Sequence, residues 1–143
     1  MVQQAPDDRV SKSGEIPPDS IPSLRTIAMP ADTNPSGFIF GGWLVSQMDL
    51  AAGSVATSRA EGPAVTVAIE AMTFHQPVYV GDDVSIYVDI IKEGTTSLTL
   101  HIQAWARHRY GGPTVKVTEG NFIFVALDEN RKPRALPPLK KNG

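Results

Sequence analysis

The pattern of hydrophobic and polar residues changes its period once along the chain. Between residues 42 and 59, apolar side chains recur at spacings of three and four, which predicts one amphipathic helix. The segment Glu61–Pro63 is predicted to end this helix, because glycine and proline do not continue it. The apolar stripe consists of Leu44, Met48, Ala51 and Val55, widened by Val45, Ala52 and Ala56.

From residue 64 onward, apolar and polar side chains alternate, which is typical of β-strands. Four strands are predicted there, at residues 65–74, 84–91, 97–106 and 115–127, after one short strand at residues 23–29. Gly120 is expected to mark a bulge in the last strand. The inward-facing residues of the two middle strands are Val84, Ile86, Val88, Ile90, Leu98, Leu100, Ile102, Ala104 and Ala106.

One helix followed by strands that tight turns connect predicts an α+β fold with an antiparallel sheet. The element order favours the hotdog fold, a curved antiparallel β-sheet wrapped around one long central helix. An open sheet leaves unpaired edges, and we expect dimerisation by sheet extension to cover one of them. The single domain is expected at residues 21–128, between a flexible N-terminal arm of residues 1–20 and a basic, proline-rich C-terminal tail of residues 129–143.

Composition narrows the range of functions. The net charge of -2 argues against a protein that binds nucleic acid through its phosphates. The absence of cysteine excludes disulfides, thiolate nucleophiles and zinc–cysteine sites. No apolar run reaches the roughly 20 residues that cross a bilayer, and residues 1–20 lack the apolar centre of a signal peptide. We therefore expect a cytoplasmic protein that does not insert into membranes.

The candidate chemistry centres on one acid inside the predicted helix. Asp49 lies seven residues after Gly42. That is about two turns, or about 10 Å along the helix axis, so the two residues face the same side. Small and apolar neighbours would leave this carboxylate poorly solvated, which increases its basicity once it is ionised. Alternatively, Asp49 lies at the margin of an exposed face and only solubilises the helix.

The helix is predicted to start at a pair of glycines, Gly41 and Gly42, where Ser, Thr, Asp or Asn usually caps. The first N–H groups of a helix have no internal partner and carry partial positive charge, so they suit a developing oxyanion. A tight turn required only by the chain path would also explain the two glycines. The neighbouring Phe38, Phe40 and Trp43 are expected either to line an acyl pocket or to belong to the core.

The segment DTNPSGFIFGGWLVSQMD at residues 32–49 resembles acyl-CoA thioesterases of the YciA-like hotdog family, and the resemblance extends from Leu24 to Pro137. It implies hydrolysis of acyl-CoA thioesters with no cofactor, because CoA is part of the substrate. It also implies that Asp49 is the catalytic carboxylate, as general base or as nucleophile. The glycines at the helix start would donate amides to the thioester carbonyl. Asn34 corresponds to a loop asparagine of the family and would orient the water, or else it forms an Asx turn.

Two positions depart from the family pattern. Relatives often carry Asp or Asn where this chain has Phe38, and an arginine where it has Thr95. The missing arginine leaves the contacts to the CoA phosphates open. We expect Thr66 and Thr95 to be among the residues that bind the substrate. The basic residues that are candidates for phosphate contact, or else are ordinary solvated charges, are Arg107, Arg109, Arg131, Lys132 and Arg134.

Two other functions remain open from the sequence. A hotdog enoyl-CoA hydratase would need a histidine near the acid, and the predicted helix contains none. A non-catalytic acyl-CoA-binding protein would need a partner surface or a DNA-binding segment. The three histidines do not have metal-ligand spacing. The expected partners are acyl-CoA and further copies of the chain, as a homodimer and then a trimer of dimers.

Overall fold

The order of elements in the structure follows the sequence pattern closely. A computed structural model of the chain describes Arg9 and residues 15–139. A short 3-10 helix at Pro30–Asp32 precedes the single long helix. The elements are β1 (Leu24–Ile27), α1 (Gly41–Ala60), β2 (Ala64–Ile69), β3 (Thr73–Phe74), β4 (Asp83–Glu93), β5 (Ser97–Arg107) and β6 (Thr114–Ala126).

All strand pairs are antiparallel, as predicted, and the path through the sheet is β1-β4-β5-β6-β2. The predicted strand at residues 65–74 is divided into β2 and the two-residue β3, which both pair with β6. The number of strands after the helix is therefore five among the described residues rather than the predicted four. Strands β1 and β2 end the path, so each leaves one edge without a strand neighbour among the described residues.

Helix α1 packs its predicted stripe against the concave face of the sheet. Its buried residues are Leu44, Met48, Ala51, Ala52, Ala56 and Ala60, and Val45 and Val55 are partly buried against the same core. Small alanines let the helix lie close to the sheet, where large side chains come mainly from the strands. The helix ends at Glu61 as predicted, in a left-handed conformation with φ 53°. The Gly62 N–H then donates to the Thr57 carbonyl over 3.2 Å.

The sheet face that meets the helix carries the predicted inward residues. In β5 all five of them are buried, from Leu98 to Ala106. In β4, Val84 and Ile86 are fully buried, whereas Val88 and Ile90 are only partly buried. The inward side chains of β4 thus become more exposed towards the C-terminal end of the strand.

The predicted bulge at Gly120 is wrong. Gly120 pairs in regular register with Ile102, and the residue left out of the β5–β6 register is Val117. Further register shifts occur in β2 between Thr66 and Ala68 and in β4 between Ile90 and Lys92. The glycine is explained by close approach, because a Cβ at this position would lie 2.7 Å from Cγ of Met72. Bulges increase the local twist, which helps the sheet to curl around the helix.

The chain on both sides of the predicted domain makes defined contacts where it is described. Arg9 is buried against Asp82. In the C-terminal segment, the Arg134 guanidinium donates to the Ala60 carbonyl at the helix end over 2.7 Å, and the Leu136 N–H donates to the Thr95 carbonyl over 2.9 Å. The predicted boundaries of the arm, domain and tail stay predictions, since residues 1–8, 10–14 and 140–143 lie outside the described residues. Within the part described, no helix is both long and apolar enough to cross a membrane.

Candidate active site

The start of α1 presents two amides that precede the hydrogen-bonded turns of the helix. Phe40 is the N-cap residue, and its side chain makes no capping bond. The first helical bonds run from the N–H groups of Trp43 and Leu44 to the Phe40 carbonyl, over 3.1 Å and 3.4 Å. The N–H groups of Gly41 and Gly42 therefore lie before the hydrogen-bonded ladder, at the positive end of the helix.

The two glycines differ in what surrounds them. A Cβ added at Gly41 would touch the Phe74 ring at 3.5 Å, an ordinary contact. A Cβ added at Gly42 would meet no heavy atom of the described residues within 4 Å. Neither glycine is thus explained by crowding within the chain. The open space beside Gly42 leaves room for a group from outside the chain to approach this backbone.

Asp49 lies on the same helix, at the point where the helix meets β2. The Thr66 hydroxyl donates a hydrogen bond to Oδ1 of Asp49 over 2.5 Å. The acid is partly buried, and Val45, Ala52 and Gly53 lie one turn from it on the helix. If Asp49 only solubilised the margin of an exposed helix face, it would not need a bond of this kind. The bond fixes the carboxylate orientation and leaves its second oxygen outside this contact.

The strand beside Asp49 is an edge strand with an exposed apolar row. Val65, Val67 and Ile69 are 42%, 55% and 45% exposed in the single chain. Rows of this kind on a sheet edge mark interfaces more often than solvated surface. The acid therefore lies next to an exposed apolar sheet edge, a surface suited to pairing with a second copy.

The loop before the helix is organised by Asn34. Its side-chain Oδ1 accepts hydrogen bonds from the N–H groups of Ser36, over 2.9 Å, and Phe38, over 3.1 Å. This is the Asx-turn geometry that was one of the two interpretations of Asn34. The bonds use the oxygen of the amide, so only its NH2 group could also serve a substrate or water. The structure does not bring Asn34 into hydrogen-bond contact with Asp49 of the same chain.

The aromatic residues near the helix start have different environments. Trp43 is partly buried and packs against the core. Phe40 is 52% exposed, and Phe38 is 42% exposed. The Phe38 ring lies against Tyr79, with ring centroids 5.9 Å apart. Trp43 thus follows the core interpretation, while Phe40 remains available to contact a ligand.

Thr95 lies at the far end of the helix from the glycines. It lies two residues after Glu93, whose carboxylate pairs with Arg59 in the last turn of α1, with 2.6 Å between Arg59 Nε and Glu93 Oε1. Asp49 and Arg59 are ten residues apart, which is about 15 Å along a helix. Within one chain, Thr95 is therefore not a neighbour of Asp49.

The basic candidates are dispersed over the surface. Arg107 pairs with Asp83 at 3.2 Å, at the end of β5. Arg131 occupies a left-handed position, with φ 61°, in the turn after β6. Arg109 lies against Gly81, beyond the end of β5, whereas Arg131 follows β6. Because β5 and β6 are antiparallel, the two arginines lie at opposite ends of this strand pair. A single chain does not gather these cations into one phosphate site.

Three ion pairs away from Asp49 shift the pKa of a carboxyl group. Hydrogen bonds from Arg25 lower the pKa of Asp83, with a smaller contribution from Arg107. The Arg59 guanidinium lowers the pKa of Glu93 in the same way. The Lys116 ammonium lowers the pKa of Glu119. Among the described residues, no group of three His, Asp or Glu side chains is placed to hold a metal ion.

Comparison with known proteins identifies the relatives of this chain. Residues 36–112 match the family described as the thioesterase superfamily. The acyl-CoA thioester hydrolase YciA of Salmonella typhimurium is 50% identical over 117 residues, which are 80% of this chain and 88% of that protein. The structure of HI0827, described as a hexameric broad specificity acyl-coenzyme A thioesterase, is 38% identical with a TM-score of 0.81 and covers 90% of this chain and 89% of that chain.

A more distant structure is informative about individual positions. The acyl-CoA hydrolase from Staphylococcus aureus is 25% identical, and its asparagine-to-alanine variant with coenzyme A has a TM-score of 0.75, covering 80% of this chain and 68% of that chain. An aspartate-to-alanine variant of the same hydrolase has also been solved. The two substituted positions are 15 residues apart in that protein, the same separation as between Asn34 and Asp49. HI0827 has likewise been solved as an aspartate-to-alanine variant.

Proposed function

This chain belongs to the thioesterase superfamily and is an acyl-CoA thioester hydrolase, and we propose that Asp49 is its catalytic carboxylate. The observation that carries this assignment is the bond from the Thr66 hydroxyl to Oδ1 of Asp49, which orients a partly buried acid on the central helix. The matching separation of the asparagine and aspartate positions chosen for substitution in the Staphylococcus aureus hydrolase supports Asp49 and Asn34 as partners.

The proposed site is shared between two chains that meet along β2. Reacting atoms must lie about 3 to 3.5 Å apart, and Gly42 and Asp49 of one chain are about 10 Å apart along the helix. Direct attack by Asp49 on a carbonyl held by Gly42 of the same chain is therefore not possible. The exposed row on β2 and the open space at Gly42 support pairing with a second copy. We propose a homodimer, and a trimer of dimers by analogy with the hexameric HI0827.

In the proposed reaction, the Gly42 N–H of one chain donates a hydrogen bond to the thioester carbonyl and polarises it. Asp49 of the other chain then acts in one of two ways. It removes a proton from an attacking water, or it attacks the carbonyl carbon itself and forms an anhydride that water hydrolyses. In either case the carbon–sulfur bond breaks and CoA leaves. In the first route the proton on Asp49 passes to the departing sulfur, and in the second the sulfur leaves as a thiolate and takes its proton from water. The NH2 group of Asn34 would orient the water or the carbonyl.

The remaining substrate contacts follow from positions around the helix start. Gly41 and Phe40 would contact the acyl and pantetheine groups, since they flank the proposed carbonyl site, whereas Trp43 packs against the core. Thr66 would orient Asp49, and a direct contact of Thr66 with the substrate stays a prediction. Thr95, Arg107 and Arg131 stay predicted CoA contacts, which only a neighbouring chain could bring near the site. The reaction as written needs no cofactor, and the proposed location is the cytoplasm, which a cysteine-free chain fits.

One screen distinguishes this function from the two alternatives. The purified protein is mixed with a series of short to long acyl-CoAs and with an enoyl-CoA. Release of free thiol is expected, and its dependence on chain length gives the acyl preference. Loss of the enoyl absorbance without thiol release would indicate a hydratase. Thermal stabilisation by acyl-CoA without any turnover would indicate a binding protein, and either result would overturn the proposal.

A further inference from the structure

An arginine from the segment before the domain is buried in the turn that precedes β4. Arg9 is 4% exposed and Asp82 is 1% exposed. The guanidinium makes two hydrogen bonds to the Asp82 carboxylate, one of them from Nη2 to Oδ1 over 3.0 Å, and a third to the Pro77 carbonyl over 3.2 Å. Its plane also lies over the Tyr79 ring, with the guanidinium carbon 4.5 Å from the ring centroid.

The same turn supports the loop that carries Asn34. Asp82 accepts a hydrogen bond from the Tyr79 N–H over 2.9 Å, so the carboxylate that holds Arg9 also shapes the turn. Tyr79 is also in contact with Phe38, with the ring centroids 5.9 Å apart and the ring planes tilted by 33°. One residue further along, the Ile39 N–H donates to the Val78 carbonyl over 3.1 Å.

These contacts form one continuous path from Arg9 to the helix start. Arg9 stacks on Tyr79, Tyr79 packs on Phe38, and the Phe38 N–H is held by Oδ1 of Asn34. Two residues after Phe38 comes Phe40, whose carbonyl accepts the first hydrogen bonds of α1. Ile39 anchors the same loop separately, through its buried side chain and its bond to Val78, so the contact with Tyr79 adds a second anchor at Phe38, which is 42% exposed.

We infer that Arg9 is a positioning residue for thioester hydrolysis. It holds Tyr79 against Phe38, and these contacts fix the loop that carries Asn34 and leads to the Gly42 amide. The inference rests on the proposed function for its kinetic consequence, but not for the contact itself. It also assigns a role to Phe38. Phe38 does not orient water in this chain and instead anchors the loop on Tyr79.

A purely structural role would predict lower stability alone, because a buried ion pair that loses one partner destabilises any fold. The positioning role predicts loss of turnover at temperatures where the variant is fully folded. A displacement of about 1 Å at a reacting group can cost about 100-fold in rate, whereas substrate affinity depends on contacts elsewhere. The kcat should therefore fall, with little change in KM.

The test compares Arg9→Lys, Arg9→Gln and Tyr79→Leu with the wild type. Lysine keeps the charge but lacks the planar fork that makes the paired bonds and the stacking contact. Tyr79→Leu keeps the Arg9–Asp82 pair and removes only the ring, so it carries the test if Arg9→Gln does not fold. Arg25→Gln is the matched control, because it removes an arginine with two bonds to the neighbouring carboxylate Asp83. Val115→Ala, which truncates a buried side chain, reports the effect of lowered stability alone.

Two measurements are made on each variant: amide hydrogen exchange of residues 33–41 without substrate, and steady-state thiol release from one acyl-CoA. We expect faster exchange in this segment and at least about a tenfold fall in kcat for Arg9→Lys and Tyr79→Leu, with both controls near wild type. Unchanged exchange, or faster exchange with unchanged kcat, would overturn the inference. If the wild type released no thiol, the proposed function would fail, while the exchange data would still decide whether Arg9 holds the loop.

Discussion

The Thr66 hydroxyl donates a hydrogen bond to the Asp49 carboxylate over 2.5 Å, and this bond joins the central helix to the edge strand β2. The acid is therefore positioned from two sides, by its own helix and by the strand proposed to meet a second chain. A carboxylate held in this way keeps one oxygen fixed while the other can act on water or substrate. The predictions below follow from this arrangement and from the two glycine amides.

Removal of the Thr66 hydroxyl should lower turnover without unfolding the protein. Thr66→Val keeps the shape of the side chain but cannot donate the bond, which is worth about 1.5 to 3 kcal/mol when its acceptor is charged. We expect kcat for thiol release to fall about tenfold or more, because 1.4 kcal/mol corresponds to a factor of ten. Thr66→Ser keeps the donor and should retain most of the activity. Equal rates for the valine and serine variants would show that the bond does not contribute.

The Gly42 amide can be tested by comparing alanine with proline. Gly42→Ala keeps the N–H, and its Cβ would meet no atom within 4 Å in the part of the chain that the structure describes. Gly42→Pro removes the N–H at a position in the first helical turn, where proline is tolerated. Loss of one oxyanion donor typically costs about 100- to 1,000-fold in kcat. We expect the proline variant to be far less active than the alanine variant, and equal activity would exclude the amide from catalysis.

The same proline variant tests whether two chains share one site. Gly42→Pro and Asp49→Ala are each expected to be inactive, but a mixed dimer would combine an intact amide from one chain with an intact acid from the other. Unfolding and refolding the two proteins together should restore part of the thiol release. If mixing restores nothing although mixed dimers form, both groups act within one chain.

The two ends of the sheet offer a matched pair for testing the interface. Val67 on β2 and Ile27 on β1 are each 55% exposed in the single chain. We expect Val67→Lys to reduce the mass measured by light scattering and to abolish thiol release, because lysine on the edge opposes pairing. Ile27→Lys should leave the dimer intact. Wild-type mass for Val67→Lys would place the interface elsewhere.

The Arg25–Asp83 pair should make stability depend on pH at acid values. In the folded protein the pKa of Asp83 is lowered below its ordinary 3.8. The stability that the pair contributes is therefore present above pH 3.8 and is lost as the pH falls through the lowered pKa. Thermal unfolding should show Asp83→Asn less stable than wild type at neutral pH, by a few degrees at most because Arg25 is exposed. The difference should shrink towards pH 3 and below. Asp89→Asn, on the same strand, is the control, and a difference for Asp83→Asn that does not change with pH would contradict the assignment.

Much of the fold could be predicted because it follows from local periodicity. The spacing of Leu44, Met48 and Ala51 defines the helix, and alternation of apolar and polar residues, broken at the register shifts, defines β4 to β6. The structural relatives confirm the hotdog fold that this order predicted. The bulge was misplaced at Gly120, because register depends on pairing with β5 and β2 and not on one residue type. A glycine is found there because Met72, which is distant in sequence, packs closely against this position.

The candidate site was predictable in its residues but not in its contacts. The glycine pair and Asp49 are visible in the sequence because an acid among small residues and an uncapped helix start are unusual. The partnership of Asp49 with Thr66 depends on how β2 lies against the helix, and no periodicity encodes that. Arg9 carries no sequence pattern at all, since a single arginine in a polar segment is indistinguishable from a solvated charge. Only the folded turn at Tyr79 and Asp82 gives it a role.

The central claim is that Asp49 performs the chemistry, and the rate of thiol release by Asp49→Asn tests it most directly. Asparagine keeps the size of the side chain and can still contact Thr66, so folding and assembly should remain, as thermal unfolding and mass would show. With saturating acyl-CoA we predict a fall in kcat of at least about 100-fold relative to wild type, the scale of losing a general base. The control Asp89→Asn should keep the full rate. Thiol release by Asp49→Asn at the wild-type rate would contradict the account.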